Sequence, residues 1–151
     1  MSKRLIRTLV ALTLAGLAIG TAVAFAALPR RFDATLRGTN EGANAGAPNG
    51  RGTARVTFRS ATRVCYRISV RGIDKPTLAH IHKGGRGVSG PIVVDFQPRF
   101  HGSRRRVASK CVNTTAAVSR AIRRNPGGYY VNVHTVKFPA GAVRGQLRIH
   151  R

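Results

Sequence analysis

Three of the five histidines share a pattern that suits metal ligation. His80 and His82 are separated by Ile81 alone, so on a strand the two imidazoles share one face and Ile81 takes the other. His134 follows Val131 and Val133. With those valines on the core side, His134, Asn132 and Tyr130 point outward. An outward His-x-His beside an outward His on a neighbouring strand offers three imidazole nitrogens, a donor set that Cu²⁺ and Zn²⁺ take at about 2.0 Å. His101 can supply a fourth ligand; His150, beside the C-terminal residue, is assigned nothing. A competing reading keeps the same rings as turn-holders. In it His80 and His82 hydrogen-bond the Gly-rich turn 83–90, and His134 holds the turn 139–141. Lys83, Arg86 and Arg144 oppose a bound cation, and none of the four acids (Asp33, Glu41, Asp74, Asp95) is near enough in sequence to be an obvious orienting carboxylate.

Other chemistry is sparse. Ser89 and Ser103 lack a Gly-x-Ser-x-Gly setting, four scattered acids do not make a paired-carboxylate site, and there is no phosphate-binding Gly-x-x-x-x-Gly-Lys loop. Four acids also leave little from which to build a Mg²⁺ or Ca²⁺ site, and two cysteines cannot form a four-cysteine zinc module. The residues therefore read as a binding module rather than an enzyme.

The elements that must position these residues show mostly a period of two. Alternation runs through Phe32, Ala34 and Leu36, then Ala54, Val56 and Phe58, then Val64, Tyr66, Ile68 and Val70. It continues in 78–82, in Ile92, Val94 and Phe96, in Tyr129, Val131 and Val133, and in Val143, Leu147 and Ile149 opposite Arg144, Gln146 and Arg148. Such alternation marks half-buried antiparallel strands. Seven to eight short strands with Gly- and Pro-rich turns predict an all-β, Greek-key β-sandwich of immunoglobulin or superoxide-dismutase type. One segment, 114–124, has a helical period, with Ala117, Val118, Ala121 and Ile122 on one side and Arg120, Arg123 and Arg124 on the other. Asn113 or Thr114 is its expected cap, and Asn125-Pro126-Gly127-Gly128 its stop. The stretch 39–52 reads as a mobile loop.

The 151 residues allow one domain. Residues 1–26 read as a secretory signal, with Lys3, Arg4 and Arg7, an apolar run over 9–25, and Ala24-Phe25-Ala26 for cleavage. The alternative is an N-terminal membrane anchor, because the apolar run approaches the span minimum of about 18 residues. Residues 27–151 then form the exported domain, without a second apolar span. Export favours a disulfide between Cys65 and Cys111. Cys65 lies on the outward phase of its strand, so the bridge is expected to pin the basic loop 97–110 over a sheet's outer surface. Net charge is +23, and losing residues 1–26 removes three bases and no acid, leaving +20. Arg supplies 22 of the 27 bases, which fits either a GC-rich codon bias or a polyanion-binding surface. Arg104, Arg105 and Arg106 in the loop, with Arg120, Arg123 and Arg124 on the helix, are the candidate anion-binding surface. An anionic cell-envelope polymer or an extracellular protein is the expected partner class. Nucleic acid is disfavoured by export and by the lack of a recognised binding motif.

The motifs Ala79-His80-Ile81-His82-Lys83-Gly84, Gly87-Val88-Ser89-Gly90-Pro91-Ile92-Val93-Val94, Asn125-Pro126, Tyr129-Tyr130-Val131-Asn132-Val133-His134-Thr135 and Phe138-Pro139-Ala140-Gly141-Ala142-Val143-Arg144-Gly145-Gln146-Leu147 together resemble the CHRD (chordin) domain, a module also found in secreted bacterial proteins. The resemblance runs over about 32–150. It implies an extracellular β-sandwich without a settled activity; the signal, the disulfide and the basic loop point to a non-enzymatic extracellular binding module. The loops here are richer in Arg than the family pattern. A second resemblance is to copper/zinc superoxide dismutase, in which His80, His82 and His134 match three copper ligands and Arg144 compares with the Arg that guides superoxide. The zinc loop has no counterpart, and only His101 is left to act as a bridging His. Copper or zinc is thus the implied cofactor, without implied redox turnover.

Overall fold

In the computed structural model, residues 27–42 and 46–151 are described. The proposed signal over 1–26 lies outside them. Nine strands form: β1 (Arg31–Arg37), β2 (Arg51–Phe58), β3 (Arg63–Arg71), β4 (Pro76–Lys83), β5 (Ile92–Asp95), β6 (Arg106–Asn113), β7 (Tyr129–Thr135), β8 (Val143–Gln146) and β9 (Arg148–Ile149). Among the described residues one α-helix, α1 (Ala116–Arg124), lies between β6 and β7. The all-β, antiparallel expectation holds, but the sheet is continuous rather than two separate layers. Its order is β5-β4-β7-β8-β1-β2-β3-β6, with β9 also paired to β1. The halves β5-β4-β7-β8 and β1-β2-β3-β6 join through a single β1–β8 residue pair, Arg37 with Arg144. The sheet therefore rolls into a nearly closed barrel. Its free edges β5 and β6 face each other across a cleft between Val93, Val94 and Asp95 on one side and Lys110, Cys111 and Val112 on the other. The chain crosses between the halves at β3→β4, β5→β6, β6→β7 and β8→β9, in the Greek-key manner.

Rolling the sheet makes the inner faces of both halves into one core. Phe32, Leu36, Val56, Phe58, Val64 and Ile68 from one half meet Ile81, Val94, Phe96, Val131, Val133 and Val143 from the other, all buried. The Tyr66 and Phe96 rings lie 4.4 Å apart between centroids and close the open side. Ile122 of α1 is wholly buried in the same cluster. Thr115 caps that helix, its Oγ1 accepting from the Val118 N–H, one position after Thr114 and two after Asn113. Ala117 is exposed, and the buried stripe is Val118, Ser119, Ala121 and Ile122.

Two strand expectations shift. The predicted basic loop 97–110 ends in strand: β6 pairs with β3 along eight residues, and Cys65 and Cys111 sit opposite each other in that pairing. Their disulfide forms, but it clamps two neighbouring strands rather than a loop over the sheet. β6 escaped the alternation because Ala108 is its only fully buried residue. Ile92 and Ile149 are about half exposed rather than in the core. A β-bulge between Ile81 and His82 moves Ile92 off the inward phase, and Leu147 interrupts the ladder between β8 and β9. The described part of the predicted mobile loop is pinned instead: Gly38 N–H donates to Gly50 O and Ala47 N–H to Ala142 O, while Glu41 and Ala47 are buried.

Candidate metal centre

Strands β4 and β7 are neighbours. Their register places Leu78 opposite His134, His80 opposite Asn132, and His82 opposite Tyr130. All six side chains therefore lie on the outer face, as the phase requires. The next strand, β8, continues the face with Arg144 beside Asn132 and Gln146 beside Tyr130. Yet His80, His82 and His134 are only 5%, 8% and 8% exposed, and Arg144 is 2% exposed. The outer face is roofed by the β4–β5 loop (84–91), the β7–β8 loop (136–142) and Glu41. Polar groups fill this second interior, and backbone carbonyls of the roof satisfy many of them. Gln146 Nε2 donates to Gly84 O and Gly127 O, both at 2.8 Å, and Arg144 Nη2 to Gly85 O and Val88 O, both at 3.1 Å. The Arg144 guanidinium lies 3.5 Å from the centre of the Tyr130 ring, a cation–π contact, and His82 stacks on Tyr130 at 4.9 Å.

The roof also sets the imidazole tautomers. His82 Nδ1 donates to Gly90 O at 2.9 Å, and His134 Nδ1 donates to Pro139 O at 2.9 Å. A carbonyl oxygen only accepts, so both rings carry the proton on Nδ1 and a lone pair on Nε2. His82 Nε2 is buried without a hydrogen-bond partner. His134 Nε2 lies 3.2 Å from His80 Nδ1. Because His134 Nε2 carries a lone pair, His80 Nδ1–H donates to it across that gap; on the far side of His80, Nε2 lies 3.7 Å from Asp95 Oδ1, too long for a hydrogen bond. Gly90 is the residue this arrangement demands: a Cβ there would sit 1.7 Å from Lys83 O, so any other residue would push away the carbonyl that holds His82.

One nitrogen from each ring lies within 4.8 Å of the other two, and three points so spaced are all within 4.8/√3, about 2.8 Å, of a common centre. Ligand bonds near 2 Å cap the nitrogen–nitrogen distance at about 4 Å, so the widest pair closes by roughly 1 Å on loading. Burial holds the His80 ring down to about 4, aided by His134 and opposed by the Asp95 carboxylate. Burial also lowers His82 and His134, against the carbonyls of Gly90 and Pro139. All three rings are neutral at pH 7, the form that ligates metal without first losing a proton.

The structure brings together His80, His82 and His134. It does not bring His101, which is exposed and bridges Val107 through its backbone, so it is no fourth ligand. His150 pairs with Asp33, which also pairs with Arg55. The six basic groups of the predicted anion surface differ in exposure. Arg104, Arg105, Arg120 and Arg124 are exposed, and Arg106 is half-buried with Nη1 donating to Gly102 O. Arg123 is tied down, its Nε donating to Pro29 O and its Nη2 to Leu28 O. Sequence reasoning missed Asp95 and Glu41. Counting back along the β4–β5 hairpin would have found Asp95 opposite His80. No periodic signal marks Glu41. It is 4% exposed, burial raises its carboxyl to about 7 against the pull of Arg144 and Asn132, and its Oε1 has no partner.

Comparison with known proteins places this chain in a family. The CHRD domain matches residues 32–147. Among curated proteins no relative matches. A solved structure described as the clock protein EA4 is 13% identical, covering 82% of this chain and 97% of its own, with a TM-score of 0.46. The CHRD match takes in every strand from β1 to β8, both halves of the disulfide and all three clustered histidines, and the chain belongs to the CHRD domain family.

Proposed function

We propose that this CHRD domain is an exported binding module whose ligand at the roofed outer face is a single Cu²⁺ or Zn²⁺ ion, held by His80, His82 and His134. One observation carries the reading: three neutral, buried imidazoles bring one nitrogen each to a common centre, two of them with Nδ1 anchored on a carbonyl and a lone pair left on Nε2. A turn-holding role accounts for those anchors. It does not account for the buried Nε2 of His82, which is left without a hydrogen-bond partner. Arg144 opposes a cation, but its charge is held against two carbonyls and the Tyr130 ring. A bound ion would supply Lewis acidity at this face; the chain's own residues hold the three imidazoles and exclude water from them.

Export rests on the signal-like segment 1–26 and on the Cys65–Cys111 bridge, which suits an oxidising compartment. Among the described residues no helix is long and apolar enough to cross a membrane. Residues 27–151 share one core and form one domain in this reading. Outside the metal centre, the exposed arginines suit an anionic cell-envelope polymer or an extracellular protein. The metal reading is tested by isothermal titration of metal-free protein with Cu²⁺ and Zn²⁺. We expect one ion per chain, tighter for Cu²⁺, with loss in His82→Gln and His134→Gln and retention in His101→Ala. Equal uptake by all three variants would sink the proposal.

A further inference from the structure

A second site lies beside the joint between the two halves of the sheet. Where β1 meets β8, the outer face forms a hollow of about 270 Å³ lined by Arg37, Arg86, Arg148, Thr35, Asn40 and Gln146, with Arg144 in its wall. No acid lines it. Among the described residues, none of these guanidiniums has a carboxylate within salt-bridge distance, whereas Arg55 pairs with Asp33 a short way along the same strands. The joint's single residue pair sets Arg37 directly opposite Arg144, and like charges so placed across an antiparallel ladder destabilise it. The close approach is built in: a Cβ at Gly145 would lie 2.2 Å from Thr35 O, so glycine lets β8 draw up against β1. Arg86 arrives from the β4–β5 loop, whose Gly85 and Val88 carbonyls hold Arg144 in place.

We infer that this hollow binds a phosphoryl group. Guanidinium forks match phosphate oxygens two at a time, and several forks around one hollow suit a group carrying more than one negative charge. The Thr35 hydroxyl and the second N–H of the Asn40 amide supply the neutral polar contacts, the Gln146 amide being taken up by the roof carbonyls. The volume falls just below the usual range of about 300–1,000 Å³ for organic ligands, so a diphosphate or a small phosphate ester fits and a bulky apolar molecule does not. The group can belong to a free small phosphate or to one unit of a phosphodiester polymer. The site is separate from the histidine cluster and does not depend on metal binding.

The test is isothermal titration of metal-free protein with pyrophosphate, and in a second arm with a glycerol-phosphate oligomer. The protein is compared with Arg37→Ala/Arg148→Ala and with Arg104→Ala/Arg105→Ala/Arg106→Ala. All these arginines lie near the surface, so both variants keep the core, and unchanged urea melts confirm it. We expect one site per chain, weakened at least tenfold in the pocket variant and less than twofold in the loop variant, although the loop variant loses more charge. Tighter binding by pyrophosphate assigns a free small phosphate; tighter binding by the oligomer assigns the polymer. Parallel losses in both variants, several weak sites per chain, or no binding in either arm would overturn the inference.

Discussion

Glu41 gives the sharpest quantitative prediction. Its carboxyl stands at about 7 in the folded chain against 4.5 as a free side chain. Folding therefore favours the protonated form, and the folded state holds more protons than the unfolded one between pH 4.5 and 7. Stability must fall as pH rises across that window. The shift of about 2.5 units corresponds to roughly 3 kcal/mol at pH 8, taking 1.36 kcal/mol per unit. Gln has the shape of the protonated acid and no charge to bury, so Glu41→Gln should match the wild type at pH 5 and exceed it by up to about 3 kcal/mol at pH 8. Urea melts of metal-free protein at pH 5, 6.5 and 8 measure the difference, and pH effects from other groups cancel within each pair. A variant less stable than wild type at pH 8 would refute the reasoning. It would show that the ionised carboxylate gains more from Arg144 and Asn132 than it loses by burial.

Three further predictions follow from the same interior. His80 moves the other way: held at about 4 when folded and 6.5 when free, it makes metal-free protein lose stability as pH falls from 6.5 to 4. The loss should reach about 3 kcal/mol, and urea melts of His80→Gln should show a flatter acid limb. Asp95→Asn, which keeps the shape but removes the charge facing His80 Nε2, should loosen Cu²⁺ binding by about tenfold in a competition titration; unchanged affinity would remove Asp95 from the account. Reducing the Cys65–Cys111 bridge, which closes a 46-residue separation, should cost about 4 kcal/mol in a urea melt with and without reductant. No change would mean that residual structure already constrains the unfolded chain as much as the bridge does.

Side-chain phase was the legible part of this chain. Alternation in Val64, Tyr66, Ile68 and Val70 put Cys65 on the outer face, and Ile81 between two histidines put both on the same outer face. Outward nevertheless does not mean exposed here. The cover over His80, His82 and His134 comes from the loops 84–91 and 136–142, and loop paths carry no period to read. The same gap hid the proton positions, because Gly90 O and Pro139 O reach the rings only after the loops fold back. β6 was hidden for another reason: as an edge strand beside β3 it buries little, so its sequence looks like a polar loop. Glu41 and Asp95, isolated acids in a basic chain, take their meaning from long-range register and burial. The arginines divide along similar lines, since Arg123 and Arg144 serve the interior while Arg37, Arg86 and Arg148 gather at a joint that no local pattern announces.

The central claim is that His80, His82 and His134 are a metal site with defined tautomers. The most direct measurement is a long-range ¹H–¹⁵N spectrum of the imidazoles before and after one equivalent of Zn²⁺. In the free protein His80, His82 and His134 should all be Nδ1–H tautomers, and Zn²⁺ should move the His80 proton to Nε2. Zn²⁺ should then shift Nε2 of His82, Nε2 of His134 and Nδ1 of His80, leaving His101 and His150 unmoved. Shifts confined to His101 or His150, shifts at the carbonyl-bonded nitrogens, or no shift at one equivalent would contradict it.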